Sequence, residues 1–472
     1  MLIRGVYSRK VSEKAVVLPD ILGCPVPSPS QRRGEGRLRR KEVSRSSHAS
    51  WEPSSDRADP VDVLIESNRT RLQDLVSVRY RRMLDSPLAF LRGSSLVMAL
   101  DLATTSSSGI AVQLCGDAHL MNFGIFASPE RRLLFDLNDF DETWVGPFEW
   151  DVKRLAASVI VAGRANAMSP ADCRAAAIAA AHAYRRWMIR YSEMTHLEIW
   201  YAGLNAEELR DLVAPSHRRA TQRTIERARR RDNLRALSKL TAVVDGRRRI
   251  VPDPPLVTRV DADPSVARQL PVMIDQYRAT LAADRRELFD RYRLVDVARK
   301  VVGVGSVGTR CWILLLQGPN GGPLFLQVKE AGPAAPELAG IPGGVSHHGQ
   351  RVVEGQRLLQ SASDVLLGWT SAPETGVHYY IRQLWDAKGS ADIASMSPMA
   401  MRTYAGVCGW ALARAHARTG DSLAITGYLG ASDRFDEAIA SFGEAYADQT
   451  ERDHAALQRA ADNALIPCAP TG

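Results

Sequence analysis

Between residues 60 and about 103 apolar side chains recur at roughly helical spacing. Leu64, Leu72, Leu75 and Val78 predict helices there, and Ser86-Pro87 reads as a helix start. Residues 111–115, AVQLC, form a short apolar run that predicts a strand ending at Gly116. GDAHLMNFG follows as a loop, and RRLLFDLNDFD predicts a second strand that ends in carboxylates. From 150 to about 194 the chain is alanine-rich and helical, with a new start at Ser169-Pro170, and 265–295 reads as helical again.

Near Val297 the texture changes to β-branched residues and glycine. Pro319-Asn320-Gly321-Gly322 between two apolar runs predicts a hairpin. A helix is expected over 349–363, a strand in HYYIRQ, and helices from Pro398 to the end. Tyr404, Val407, Cys408, Ala411, Leu412 and Ala415 fall on one helical face, so that helix is expected to be buried, beside 111–115.

Charge changes this picture only at one end. The net charge is +8, but residues 1–50 carry eleven Lys/Arg and four Asp/Glu, leaving 50 and 49 for the rest of the chain. The body is nearly neutral, and residues 1–59 read as a basic, disordered tail. The basic stretch 217–249 lacks interleaved aromatics, which favours a solvated helix with nearby acidic partners over a nucleic-acid face. Six cysteines without a C-x-x-C pair argue against a thiolate zinc site and a disulfide framework, and fit a reducing cytoplasm. No apolar run is long enough for a membrane span.

Four constellations carry candidate chemistry. In GDAHLMNFG a strand delivers Asp117 into a loop, with Asn122 five residues on. Phosphoryl transfer to a hydroxyl needs a carboxylate at the acceptor oxygen and an oxygen ligand for Mg²⁺, and kinase catalytic loops use this spacing. Asp136, Asp139 and Asp141 crowd the end of the next strand. Such crowding is relieved by a hard cation, or else marks an acidic surface turn. Gly303, Gly305, Ser306 and Gly308 lie in G-V-G-S-V-G, followed by a strand. A Rossmann site requires a helix there, so the pattern is that of a hairpin closing over nucleotide phosphates, or of an ordinary turn. Lys329 ends the next strand and can point at phosphates; Glu354 on the following helix is its expected carboxylate partner. Glu330 is excluded as that partner by strand alternation.

These residues carry a resemblance. GDAHLMNFG is similar to the G-D-x-H-x-x-N loop of aminoglycoside, choline and homoserine phosphotransferases, and DFDETWVGPFEWDVKRLA resembles the segment those enzymes carry after their metal aspartate. The resemblance implies Asp117 as catalytic residue, Asn122 and Asp139 as metal ligands with Asp136 as the alternate, Asp151 as a helix-anchoring aspartate, and His119 as a loop-stabilising hydrogen bonder. Arg92 could contact an anionic substrate or sit in a structural ion pair. From about residue 60 the chain also resembles the bacterial family called domain of unknown function 2252, through CGDAHLMNFG, DLNDFDET, VGVGSVGTR, LFLQVKEA, GQRVVEGQR and LARAHARTGD.

In ordinary kinases the glycine loop, lysine strand and helix glutamate precede the catalytic loop; here they follow it. The expected architecture is therefore an α+β, protein-kinase-like two-lobe fold in circularly permuted order. Residues 60–295 and 389–472 would form the larger helical lobe, and 296–388 the β-rich nucleotide lobe. The expected function is ATP- and Mg²⁺-dependent phosphotransfer to an unidentified small-molecule or protein acceptor, in the cytoplasm, without membrane or nucleic-acid partners. AMP transfer on the same residues, non-catalytic nucleotide binding and nucleic-acid binding are the alternatives.

Overall fold

Serine–proline pairs set the helix starts. Ser86, Ser169 and Ser397 each accept a backbone N–H with their hydroxyl, from Ala89, Asp172 and Ala400, and the proline that follows has no N–H to leave unpaired. The helices so begun are Pro87–Gly93, Pro170–Tyr191 and Pro398–Thr419. The computed structural model describes residues 27–212, 215–230, 233–259, 264–384 and 388–469.

The fold is mixed α+β, in two regions. In the helical region Glu149–Ala165, Pro170–Tyr191, Pro398–Thr419 and Arg434–Asp462 share one core. Helix Pro398–Thr419 is buried on nearly every side, more than the single face the sequence shows. Gly409 permits its closest approach to Pro170–Tyr191: a Cβ there would lie 2.1 Å from the Ala180 carbonyl oxygen. Strand Ala111–Leu114 lies against this helix, where Gln113 N–H donates to Thr419 Oγ1 at 3.2 Å.

The second region is a six-stranded antiparallel sheet in the order Gly368–Ser371, His378–Gln383, Pro323–Glu330, Cys311–Gln317, Arg293–Lys300, Val257–Arg259. One face packs Leu314, Leu326, Val328 and Ile381 against Met273 and Tyr277 of helix Pro264–Thr280. The sheet region therefore begins near residue 257, not 296, because strand Val257–Arg259 pairs with Arg293–Lys300 and the following helix covers the sheet. Past residues 385–387, which lie outside the described residues, Gly389 exchanges two backbone hydrogen bonds with Ile125 of the helical region.

Two further expectations are corrected. Residues 217–249 are not one solvated helix. They form parts of helices Pro215–Arg229 and Asn233–Leu240 and the hairpin Thr241–Val244/Arg247–Ile250. Arg229 and Arg249 pair with Glu207 and Asp296. Residues 27–59 are not a disordered tail, while residues 1–26 lie outside the described residues. Pro29–Glu42 is a helix with a Ser28/Gln31 capping box. It docks on helix Ser422–Leu429 at two glycines: a Cβ on Gly36 would lie 1.9 Å from the Ala424 carbonyl oxygen, and one on Gly427 2.2 Å from that of Arg33. Arg32 pairs with Asp421 at 2.7 Å, and buried His48 bonds Tyr428 at 2.6 Å. Composition registers the positive charge but not this backbone-to-backbone fit.

The fit is testable. Gly427→Leu leaves no room for the crossing, and the overpacking should cost about 1–3 kcal/mol. Limited trypsin digestion should then cut first within residues 32–45; a variant as resistant there as the native chain would refute the docking.

Candidate functional site

The two regions meet at a cleft of about 800 Å³. Its helical wall presents Asp117, His119, Asn122, Asp139 and Asp141, and its sheet wall presents Gly303, Gly305, Ser306 and Glu330. Residues expected from distant stretches of sequence thus share one cavity.

The Asp117 loop is fixed from below. Gly116 takes a positive φ of 82°, and a Cβ there would lie 1.9 Å from the Glu142 carbonyl oxygen, so only glycine makes this turn. Asp151, in the first turn of helix Glu149–Ala165, accepts the backbone N–H groups of Cys115 at 2.6 Å and Gly116 at 3.0 Å, and His416 Nε2 lies 3.1 Å from its carboxylate. The resemblance implied a helix-anchoring aspartate; here the Asp151 carboxylate holds the backbone of the turn before Asp117. Arg154, one turn on, donates Nε to Asp117 Oδ1 at 2.8 Å; its Nη2 lies 2.7 Å from the same oxygen and donates to the Leu91 carbonyl. Asp117 Oδ2 lies 3.7 Å from His119 Nε2. Asn122 donates Nδ2 to the Asp117 carbonyl at 2.7 Å, which leaves its Oδ1 as the side chain's acceptor. His119 Nδ1 accepts the Met121 N–H at 3.2 Å, which suits a loop stabiliser. Burial drives its pKa down to about 4 despite nearby Asp117, so the ring is neutral near pH 7.

Lys329 enters from the sheet. Strand alternation places it, Cys311 and Tyr380 on one face and Val328 and Ile381 on the other. Its Nζ lies 2.6 Å from Asp141 and 3.9 Å from Asp139. Asp141 also accepts from Tyr380 Oη at 2.7 Å and from Ser306 Oγ at 3.3 Å. Burial alone would raise the Asp141 pKa, but Lys329, Tyr380 and Arg382 hold it at about 2. Burial and Asp141 raise the Asp139 pKa from its ordinary value, with Lys329 opposing. Asp141 is taken up by Lys329, Tyr380 and Ser306, so of the two Asp139 is the carboxylate with room for a ligand.

The expected Lys329–Glu354 ion pair is absent. Glu354 is exposed and accepts from Gln350 at 2.6 Å. On helix His348–Leu359 the buried face carries Arg351, Val352, Val353, Gly355, Gln356 and Leu359, and Glu354 lies outside it, about 60° round from Arg351. Arg351 reaches the site from behind, donating to the carbonyls of Asp141 and Gly332 at 2.9 and 2.8 Å. The alternate metal ligand, Asp136, is also corrected. It is fully buried, with both oxygens 2.7 Å from Arg414 Nη2 and further bonds from Ser361 N–H and Oγ at 2.8 Å, and it does not line the cleft. Gly308 stands beside the cleft with a φ of 88°; its neighbour there is Arg71.

Sequence reasoning missed Asp141 as the lysine's partner, and missed Arg154, Arg351 and Tyr380 altogether. Tyr380 was within reach, since it lies in the expected strand HYYIRQ; its pairing opposite Lys329 required the register.

Among the described residues no group of three or more His, Cys, Asp or Glu is placed to hold a metal ion. Mg²⁺ does not need one, since it is commonly held by one or two carboxylates with substrate phosphates and water. Asn122 Oδ1 and the Asp139 carboxylate, hard oxygens on one wall, fit that demand. No helix of the described residues is long and apolar enough to cross a membrane.

The model of a family described as uncharacterized proteins conserved in bacteria, DUF2252, matches residues 71–460. No curated protein and no solved structure matches the chain.

Two outcomes test this geometry. Asp136→Asn strands buried Arg414 and should cost about 3–5 kcal/mol, whereas Glu354→Ala should change stability by less than about 0.5 kcal/mol; equal losses in urea unfolding would refute the assignment. His48 is held at about 3 and His119 at about 4 by burial, against an ordinary 6.5. The unfolded chain therefore takes up these protons first. Stability should fall as pH drops from 6.5 toward 4, by about 1.4 kcal/mol per unit for each ring. Urea midpoints that stay level between about pH 7 and 5 would contradict this.

Proposed function

We propose that this chain, which belongs to the DUF2252 family, is an ATP- and Mg²⁺-dependent phosphotransferase with a kinase-like, circularly permuted arrangement of lobes. One observation carries the reading: the glycine loop faces Asp117, Asn122 and Asp139 across a single cleft, and buried Lys329 reaches Asp141 and Asp139 from behind its wall. The alternative in which the glycines form an isolated hairpin turn has no reason to bring them there. A resemblance in motifs supplies reaction class and not substrate, so the acceptor stays open.

In this reading the glycine loop and Lys329 hold the nucleotide phosphates. Asn122 and Asp139 hold Mg²⁺, whose charge offsets that of the transferring group. Asp117 accepts a hydrogen bond from the acceptor hydroxyl. That oxygen bonds to the γ-phosphorus, the bond to the ADP oxygen breaks, and the proton passes to Asp117 and on to solvent. Arg154 fixes Asp117 by occupying Oδ1. Asp141 fixes Lys329 and, through Ser306, the glycine loop.

The deciding experiment incubates the protein with γ-labelled ATP, Mg²⁺ and a metabolite extract, and identifies the labelled product by mass spectrometry. Phosphate on an acceptor supports the proposal; AMP on an acceptor moves it to nucleotidyl transfer. ATP with Mg²⁺ at a hundredfold excess over Kd should stabilise the protein by about 2.7 kcal/mol. Asp117→Ala should lower turnover by about 10²-fold or more with ATP affinity kept, while Asp139→Ala should abolish the Mg²⁺ dependence of binding. Turnover retained in Asp117→Ala would sink the assignment.

A further inference from the structure

The cleft has a third wall, built from residues 62–96, which carries Asp62 and Glu66 as well as three arginines. Arg71, Arg79 and Arg92 all line it. Arg71 donates to the carbonyls of Gly305 and Val307 at 2.8 and 2.7 Å, and so clamps the glycine loop. Arg79 is buried and donates to the Gly93 carbonyl at 2.8 Å and to Ser67 and Asn68 side chains. All of these acceptors are neutral. Arg92 makes no hydrogen bond or ion pair with any described residue, and its Nε is fully covered and unsatisfied. The sequence left open a structural ion pair for Arg92; none is present among the described residues.

The guanidinium is half-buried, and its covered Nε has lost hydration that no partner replaces, which is costly. Arg92 stands where that charge has a use. Its backbone carbonyl abuts the glycine loop, 3.1 Å from where a Gly305 Cβ would be. Its guanidinium feels Asp117 and Asp139, which oppose the lowering of its pKa by burial. Burial also lowers Arg71 and Arg79, so these two guanidiniums beside Arg92 are desolvated as well. We infer that Arg92 is the contact residue of an oxyanion subsite between the glycine loop and Asp117, shaped for a phosphoryl-type group. A guanidinium suits such a group because its planar fork donates two parallel hydrogen bonds to phosphate oxygens. This deepens the phosphotransfer reading and rests on it for the source of the oxyanion, either the γ-phosphoryl group of ATP or an anionic acceptor. The existence of the subsite needs only the unpaired arginine and its place in the cleft.

The test uses the full chain with inorganic phosphate as the probe. Calorimetric titration should show phosphate binding that weakens roughly tenfold or more in Arg92→Gln and less in Arg92→Lys. Without ligand, Arg92→Gln should melt no lower than the native protein, because it removes an unsatisfied cation, while its phosphate-induced rise in Tm should vanish. A structural arginine would behave the opposite way. Titration of ATP and ADP with Mg²⁺ then assigns the source. If Arg92→Gln erases the preference for ATP over ADP, the oxyanion is the γ-phosphoryl group. If that ratio is unchanged while phosphate binding is lost, it belongs to the acceptor. Phosphate binding that depends on Arg92 in a protein that does not bind ATP would leave the subsite standing and overturn the phosphotransfer reading. Equal phosphate binding by the native protein and Arg92→Gln, absence of binding in both, or a lower ligand-free Tm in both Arg92 variants would overturn the subsite.

Discussion

The Asp151 carboxylate joins three parts of the chain that are far apart in sequence. It accepts the backbone N–H groups of Cys115 and Gly116 where the first strand ends, it belongs to helix Glu149–Ala165, and it meets His416 near the end of helix Pro398–Thr419. A buried carboxylate keeps its charge only where enough donors replace water, and here the donors are the backbone of the turn that aims Asp117. The same helix supplies Arg154, one turn on, which fixes the Asp117 carboxylate itself. The backbone and the side chain of the reacting loop are thus set by one rigid element, as a precise site requires.

The acidic run that follows shows how environment divides one residue type into separate roles. Asp136 is consumed by Arg414 and Ser361 and ties the second strand to the core. Asp141 is consumed by Lys329, Tyr380 and Ser306 and ties the helical region to the sheet. Asp139, between them in sequence, keeps a partly exposed carboxylate facing the cleft. Two structural carboxylates and one available one is an arrangement that spacing alone does not distinguish, because each fate depends on a cation contributed from far along the chain.

The cleft carries opposed charge on facing walls. Asp117, Asp139, Asp141 and Asn122 lie on the helical side, and Arg71, Arg79 and Arg92, with Asp62 and Glu66, lie on the wall that also holds the glycine loop in place. Such a division suits a ligand with both a cation and phosphate oxygens. It also gives residues 62–96, which precede the Asp117 loop, a role in shaping the site.

Local rules made the local structure legible from sequence. Serine–proline pairs give helix starts, a glycine run between strands gives a hairpin loop, and apolar spacing gives the buried helix Pro398–Thr419. Motif spacing placed Asp117 and Asn122 on one loop, since five residues of chain hold them together whatever surrounds them. Partners remote in the chain were decided only by tertiary structure. Lys329 takes Asp141 and not Glu354, because strand pairing fixes its direction and helix His348–Leu359 packs through Arg351 and Gly355. The basic segment 27–59 is ordered, because Gly36 and Gly427 let two backbones touch. Charge and periodicity are properties of neighbours along the chain, whereas an ion pair or a close crossing depends on where the fold brings the other half.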